Sequence, residues 1–334
     1  MLCAGLASFV LIGLAGCGND DAGGSLTKPP TIPIIYPDLD DYPRWSADGS
    51  RIVYFHRGIV EVKDGGVRID PAVVGLWSVD TLGTTTFRLN ATDIHGEVSN
   101  MGESVAFSAA GQLFAANLTL TGIDTLSIRR LTSGGTDFFP SWSPDDSLIA
   151  YESNMDSKGY RVHVIDLRGD EVLVLPIPSR DPDWFPDGVR LAYSWTRPAA
   201  STDLAVYDLQ DSSVSNLTDN GLVRDESPQV SPAGDKILYT RGNEIWLMDA
   251  DGRKARFLIK GHAPTWAPDG RRFAFVYRPD AKVPGLGTIW VSDIDGASLT
   301  PITLPQYKSR ILLQKCDTGF SELEHEPVKE GRCP

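Results

Sequence analysis

Positive charge is scarce in this sequence. Lysine and arginine together number 31 against 44 aspartates and glutamates, which gives a formal net charge of -13 at pH 7. The phosphates of a nucleic acid would be repelled by such a chain, and basic residues occur only in short pairs such as Arg129 with Arg130 and Arg271 with Arg272. The composition argues against a nucleic-acid partner and favours a neutral or basic protein.

Local signals of hydrolytic or nucleotide chemistry are also missing. The sequence contains no Gly-x-Ser-x-Gly nucleophile elbow and no phosphate-binding loop. Histidine and cysteine are rare, at 5 and 4 residues. No catalytic residue is therefore predicted from a local motif.

An uncharged apolar stretch at 2–16 is too short to span a bilayer as a helix, which needs about 20 residues. It leads into Leu-Ala-Gly-Cys at 14–17, which resembles the lipobox of bacterial lipoproteins. The resemblance implies a signal peptide at 1–16 and acylation of Cys17 after cleavage. No Lys or Arg precedes the stretch, unlike most export signals, and a start codon further upstream would explain that. An uncleaved apolar stretch is the alternative.

Residues 17–40 are polar and rich in glycine and then proline, which predicts a flexible tether. A lipid-anchored chain of this kind belongs to the bacterial cell envelope, in the periplasm or at the cell surface. Because exported proteins sit in an oxidising compartment, Cys316 and Cys333 are predicted to form a disulfide in a tail at 304–334. Two free thiols are the alternative.

The strongest pattern is a segment that recurs six times. It is fullest at 140–151 and 264–275, where Pro-x-Trp is followed by Ser or Ala and then Pro-Asp. The key position of each copy falls at Trp45, Val98, Trp142, Trp184, Val230 and Trp266, and the copy around Val98 is the most degenerate. Successive separations of 53, 44, 42, 46 and 36 residues suit one four-stranded propeller blade per repeat.

Each repeat also contains the signals of four strands. Pro-Asp-Gly predicts a hairpin turn after the key position, and an apolar run follows it. A third run ends in aspartate, as at Asp80, Asp166 and Asp249, and a fourth ends near a threonine. The sequence therefore predicts an all-β protein, a six-bladed β-propeller at 41–303 built from four-stranded antiparallel blades.

The Pro-x-Trp-Ser-Pro-Asp-Gly repeat resembles that of the PD40, or TolB-like, β-propellers, which are WD40-like in architecture. This resemblance covers about 260 residues of the chain. It implies a binding platform for other proteins, an accessory domain of a peptidase or, occasionally, a lyase. Fold alone does not choose among these functions.

Loops that enter the innermost strands collect on one face of a propeller, where function is most often found. Residues near these entries are predicted to form a rim around the channel: Asp41, Glu97, Asp137, Asp181, Asp225, Glu226, Lys260 and His262. Such an acidic ring would attract a basic protein segment. The alternative is that these carboxylates only cap loops and keep the surface soluble.

Three of the five histidines, His56, His95 and His262, fall on the same face in neighbouring blades. With Asp41 between them they could hold one divalent metal, and the resemblance to propeller lyases supports that reading. Their spacing is not a metal signature, however, and histidines in loops are usually solvated. His163 occupies a strand position that is aromatic in other blades, which predicts a packing role.

Three functions follow from these observations. The leading hypothesis is a lipid-anchored, non-catalytic propeller without a cofactor that binds an envelope protein or peptide across its acidic upper face. In it, the loop at 56–71 offers Arg57, Glu61 and Lys63 for specific contacts. The second hypothesis is a metal-dependent lyase or sugar-processing enzyme that uses the rim histidines. The third is a carbohydrate-binding surface module with Trp195 as a stacking platform.

Overall fold

The computed structural model describes residues 40–303, except 64–65, 91–94, 120–121, 155–158, 198–200, 220, 222 and 278–286, together with 315–316 and 319–320. The predicted signal peptide, Cys17, the tether up to residue 39 and Cys333 lie outside the described residues. Among the residues that are described, no helix is long and apolar enough to cross a membrane.

Six antiparallel sheets follow one another along the chain, each built from one contiguous segment. Blade 1 contains β1 (Asp40–Trp45), β2 (Arg51–His56), β5 (Gly75–Asp80) and β6 (Thr86–Asn90), with a separate hairpin of β3 (Ile59–Lys63) and β4 (Gly66–Ile69) between β2 and β5. Blade 2 contains β7 (His95–Val98), β8 (Ser104–Ala109) and β9 (Gln112–Thr119), and both β10 (Gly122–Ile123) and β11 (Arg129–Arg130) pair with β9.

The other four blades each have four strands in simple order. Blade 3 contains β12 (Asp137–Trp142), β13 (Leu148–Ser153), β14 (Arg161–Asp166) and β15 (Glu171–Val174); blade 4 contains β16 (Ser179–Trp184), β17 (Arg190–Thr196), β18 (Thr202–Asp208) and β19 (Val214–Asn216). Blade 5 contains β20 (Asp225–Val230), β21 (Lys236–Arg241), β22 (Glu244–Asp249) and β23 (Arg256–Lys260); blade 6 contains β24 (His262–Trp266), β25 (Arg272–Tyr277), β26 (Thr288–Asp293) and β27 (Leu299–Pro301). A small pair, β28 (Lys315–Cys316) and β29 (Gly319–Phe320), follows.

The predicted all-β fold and its six key positions are confirmed, since each key residue ends the first strand of a blade. Two details differ from the sequence analysis. The stretch at 56–71, predicted as a loop, contains the hairpin β3–β4. A single 3-10 turn, Thr125–Ser127, interrupts the strands of the described propeller, and Asp124 caps it. That turn divides the fourth strand of blade 2 in two.

The hydrophobic core lies between the blades. Six clusters of buried apolar side chains occupy the six junctions, and each draws its members from two adjacent blades. Both faces of each sheet are therefore buried, and the second strands contain four consecutive buried residues instead of alternating ones. This packing fixes the innermost strands around a central channel.

Candidate functional site

The innermost strand of each blade places one polar side chain on the channel, at the position just before the key residue. These side chains line a cavity of about 350 Å³: Arg44, Glu97, Ser141, Asp183, Gln229 and Thr265. The turns that follow the same strands form the rest of its wall, including Ala47 and Pro186. We call the end of the channel at which the innermost strands begin the upper end, and the end at which they finish the lower end. The cavity lies at the lower end.

The tryptophans of the repeat hold this wall together. Trp142, Trp184 and Trp266 are buried, and their indole N–H groups donate to the backbone carbonyls of Glu97, Ser141 and Gln229 in the preceding blades, at 3.0, 3.2 and 2.8 Å. Each bond joins two blades at the cavity. These three tryptophans are thus structural.

Two carboxyl groups face the cavity near one arginine. Enclosure by the channel wall raises the pKa of Glu97 to about 8; Arg44 lowers it, while the charges of Asp183 and Asp146 raise it. Enclosure likewise raises the pKa of Asp183 to about 7, although the Val230 N–H and Arg44 lower it. Perturbed carboxyl groups in a cavity mark a candidate site.

At the upper end of the channel, the innermost strands of five blades share a position with a strained backbone conformation. The residue three before the key position has positive φ in five blades: Tyr42, Phe139, Asp181, Ser227 and Ala263, with φ between 48° and 53°. The ladder to the second strand shifts register here, so the strain belongs to a bulge that these innermost strands share.

Aromatic side chains occupy two of these bulges. The rings of Tyr42 and Phe139 lie 5.4 Å apart between centroids, and the ring of Phe138 lies 6.2 Å from that of Phe139. Tyr42 belongs to blade 1 and Phe139 to blade 3, so their contact reaches past blade 2 at the channel. All three rings are partly exposed. We call Tyr42, Phe138 and Phe139 the aromatic cluster.

Two of the predicted rim carboxylates are bound inside their own blades. Asp137 accepts hydrogen bonds from the hydroxyls of Ser153, at 2.6 Å, and Thr132. Burial raises the pKa of Asp137, and these hydroxyls lower it. Asp225 is fully buried and forms a bidentate ion pair with Arg241, at 2.7 and 3.0 Å. Neither carboxylate is presented to solvent.

Asp41 is also buried and lies between two basic side chains. Its carboxylate is 3.7 Å from the Arg57 guanidinium and 3.4 Å from Nε2 of His262. His56 is 2.6 Å from the neighbouring carboxylate, that of Asp40. The structure thus brings His262 and Asp41 together, and it engages His56 with a different aspartate.

The remaining predicted rim residues are nearer the surface. Asp181 accepts a hydrogen bond from the Ser194 hydroxyl at 2.9 Å. Glu226 is 3.2 Å from Arg224, and Lys260 is exposed at the end of β23. Glu97, predicted for the rim, instead lines the lower cavity.

Within the described residues, no three His, Cys, Asp or Glu side chains are grouped so as to hold a metal ion. The side chain of His95 is not among those described, so the predicted histidine trio is incomplete. His163 is buried beside the ring of Tyr151, at 5.5 Å, and thus has the packing role predicted for it. Trp195 lies within β17, packs against the core between blades 3 and 4, and is covered by the guanidinium of Arg197 at 5.1 Å. It is not the exposed loop residue that the carbohydrate hypothesis assumed.

Sequence reasoning missed Arg44 and Asp183 as site residues. The signal was present, because both occupy the variable position of the Pro-x-Trp motif. That position differs in every blade, whereas its neighbours are repeated. Variation at one place of an otherwise regular repeat was thus the available clue to the channel lining.

The fold and the channel show that this protein is a six-bladed β-propeller with a polar central cavity. Among curated proteins, the chain is 26% identical over 263 residues to an uncharacterized protein of Agrobacterium fabrum, covering 72% of this chain and 85% of that one. It is also 26% identical over 250 residues to the Tol-Pal system protein TolB of Francisella tularensis, covering 68% of this chain. This chain spans only 54% of that TolB, about half its length.

A solved structure of a candidate TolB from Agrobacterium tumefaciens has the same fold, with a TM-score of 0.58 and 22% identity over 66% of this chain and 84% of that one. No protein-family model matches the chain. Over most of its propeller, the chain is thus similar to the TolB-like β-propellers. More distant structures with this fold include a peptidase and a lyase, so the fold alone does not separate binding from catalysis.

Proposed function

We propose that this protein is a non-catalytic propeller of the bacterial cell envelope that binds a protein or peptide at the upper end of its channel. The observation that carries the proposal is the aromatic cluster, in which partly exposed rings of two blades meet at the channel. The bulge that five blades share imposes positive φ, where asparagine and aspartate are favoured, yet blades 1 and 3 place partly exposed aromatic rings there, which favours a role beyond packing.

The surroundings of the cluster suit a protein partner. Protein-binding sites combine aromatic anchors at the centre with a polar, charged rim. Around the upper end of the channel, Arg180 pairs with the buried Glu152, Arg57 lies near the buried Asp41, and Glu226 lies near Arg224. The exposed side chains of these pairs, three arginines and one glutamate, have both signs and supply directional contacts, while the net charge of -13 favours a neutral or basic partner.

Envelope location and anchoring are part of the proposal. The relatives named as Tol-Pal system proteins support an envelope location. Acylation at Cys17, followed by the tether, would hold the propeller near a membrane while leaving both ends of its channel accessible. Radiolabelled palmitate should enter the wild-type protein in its native host and should be absent from Cys17→Ser. Equal labelling of both proteins would contradict anchoring at Cys17.

Partner capture tests the binding surface. The double variant Tyr42→Asn/Phe139→Asn removes both rings, and asparagine tolerates positive φ well, so the propeller should stay folded. Ser227→Asn is the matched control, because it makes the same substitution at the same bulge of blade 5, where φ is 53°. Crosslinking from the native envelope should capture a protein with the wild type and the control, and at least tenfold less with the double variant.

Thermal melting of all three proteins must first show an unchanged fold. Equal capture by the double variant and the control would place the binding surface elsewhere. Changing Asp137 or Asp225 to Asn is a poor test, because both carboxylates have buried partners and their loss would damage the fold itself.

A further inference from the structure

We infer that the lower cavity is a separate site for a small zwitterion, a free amino acid or short peptide, with its carboxylate on blade 1 and its ammonium on blades 2 and 4. This inference does not depend on the proposed function, since it concerns the opposite end of the channel. It rests on four side chains, Arg44, Trp45, Glu97 and Asp183, which all line the same cavity.

Blade 1 supplies the hydrogen-bond donors. The Arg44 guanidinium donates to the backbone carbonyl of its neighbour Pro43 at 3.0 Å and forms no ion pair with any described carboxylate. Trp45 is only 8% exposed, yet its indole N–H has no hydrogen-bond partner among the described residues. The equivalent indoles of Trp142, Trp184 and Trp266 all donate to carbonyls.

A buried donor without a partner is costly, and an arginine that is paired with no carboxylate favours one. Arg44 therefore offers its donors at one side of the cavity, and the adjacent Trp45 adds to the same wall an indole N–H that no described residue satisfies. A carboxylate bound to Arg44 would neutralise the guanidinium.

The acceptors lie on other blades. Asp183 belongs to blade 4, which is opposite blade 1 in a ring of six; one of its oxygens accepts from the Val230 N–H at 2.6 Å, and Gln229 approaches the other at 3.4 Å. Glu97, on blade 2, has no side-chain hydrogen bond or ion pair with the described part of the protein. An ammonium group would compensate both carboxylates.

The cavity is therefore dipolar, with donors on one wall and carboxyl groups on the others. A simple cation would meet the repulsion of Arg44, and a simple anion on Arg44 would leave the carboxyl groups of Glu97 and Asp183 without a cationic partner. Only a ligand with both charges pairs with the arginine and the carboxyl groups that line the cavity. Ser141, Gln229 and Thr265 add neutral hydrogen-bonding groups to the same wall. A volume of about 350 Å³ lies within the usual range for small-molecule sites.

Titration calorimetry with glycine, L-alanyl-L-alanine and tri-L-alanine tests the inference on the purified protein. For whichever probe binds, the N-acetylated and the C-terminally amidated analogues should each bind at least tenfold more weakly. Arg44→Gln should abolish discrimination against the amide, and Glu97→Gln should weaken discrimination against the acetylated form. Asp170→Asn, a surface change in the exposed turn between β14 and β15, is the matched control and should bind as the wild type does.

The opposite result is equally clear. If none of the three probes binds the folded wild type, or if both blocked analogues bind as well as the free probe, the proposed zwitterion site is wrong. Tyr42→Asn/Phe139→Asn should leave peptide affinity unchanged, so failure of the upper binding surface and failure of this site are separately visible.

Discussion

Glu97 shows what channel enclosure does to a single carboxyl group. Its folded-state pKa of about 8 lies above the ordinary value of 4.5, because the channel wall disfavours the charged form. Between these pH values the folded state holds the proton more tightly than the unfolded chain does. The stability that protonated Glu97 contributes is therefore complete below about pH 4.5 and is lost as the pH rises towards 8.

Glu97→Gln should remove this loss, because glutamine never ionises. At pH 5 the variant and the wild type should melt at nearly the same temperature. At pH 8.5 the variant should be more stable by about 1 kcal/mol, discounted for solvent contact, or about 2–4 °C in Tm. Calorimetric melts at both pH values measure the difference, and a gap that stays constant between them would contradict the assignment.

Asp225 and its neighbour Glu226 contrast a buried with an exposed ion pair. Asp225→Asn leaves the Arg241 guanidinium without its buried partner and should cost about 3–5 kcal/mol of unfolding free energy. Glu226 is 39% exposed beside Arg224, so Glu226→Gln should change stability by less than about 1 kcal/mol. Urea unfolding of both variants makes the comparison; similar losses would mean that the burial of Asp225 does not govern its contribution.

The sequence located these carboxylates near the innermost strands but could not assign their roles. Asp225 and Glu226 look alike in the sequence, whereas one pairs with Arg241 across the sheet register and the other lies at the surface. The partners of Asp137 are 5 and 16 residues away. Such side-chain pairings depend on register and burial, which residue identity alone does not encode.

At the scale of the strand, the repeated tryptophan allows a matched comparison. Trp266 and Trp45 occupy the same place in blades 6 and 1 and are 7% and 8% exposed, but only the indole of Trp266 has a hydrogen-bond acceptor. Both Trp266→Phe and Trp45→Phe remove similar volume. Trp266→Phe should therefore cost about 1 kcal/mol more, the net contribution of one hydrogen bond.

Chemical denaturation of the two tryptophan variants, measured without added peptide, gives the difference in their unfolding free energies directly. Equal costs would show that the indole–carbonyl bonds add nothing to the blade junctions. A larger cost at Trp45 would be harder to reconcile with the structure, since its N–H group has no bond to lose.

Strand order was predictable because turn residues and apolar runs recur in each repeat. The bulge in the innermost strands was not, because residues as different as Tyr42, Asp181 and Ala263 adopt positive φ without a glycine to signal it. The hairpin β3–β4 was missed for another reason. It lies outside the repeat, and among the described strands β3 and β4 pair only with each other.

At the scale of the whole molecule, the propeller closes into a ring where blade 6 meets blade 1. Each described blade comes from one contiguous segment, so none of the described strands is shared between the first and last blades. Blades 6 and 1 are joined by a buried cluster that includes Tyr54 and Val276, by a bond from the Asp40 N–H to the Gly287 carbonyl, and by the side chains of Asp40 and Thr303. The two ends of the propeller therefore meet at this seam.

A circular permutant tests whether the seam is an ordinary blade junction. Joining residue 303 to residue 40 through a short Gly/Ser linker, with new termini before the exposed Gly221 between blades 4 and 5, moves the non-covalent junction without altering a blade. Because similar apolar clusters occupy both junctions, the permutant should fold to the same circular dichroism spectrum and lie within about 2 kcal/mol of the unpermuted propeller.

In this comparison, the fastest amide hydrogen exchange among the innermost strands should occur at the blade junction that lacks a chain connection. In the natural order, β1 and β24 should exchange faster than the innermost strands of blades 3 and 4, because no chain connection backs their junction. In the permutant, fast exchange should move to β16 and β20, which flank the new opening. Unchanged protection in both proteins would show that the chain connection adds nothing to local stability, whereas failure of the permutant to fold would mean that the seam requires more than the contacts between blades 6 and 1.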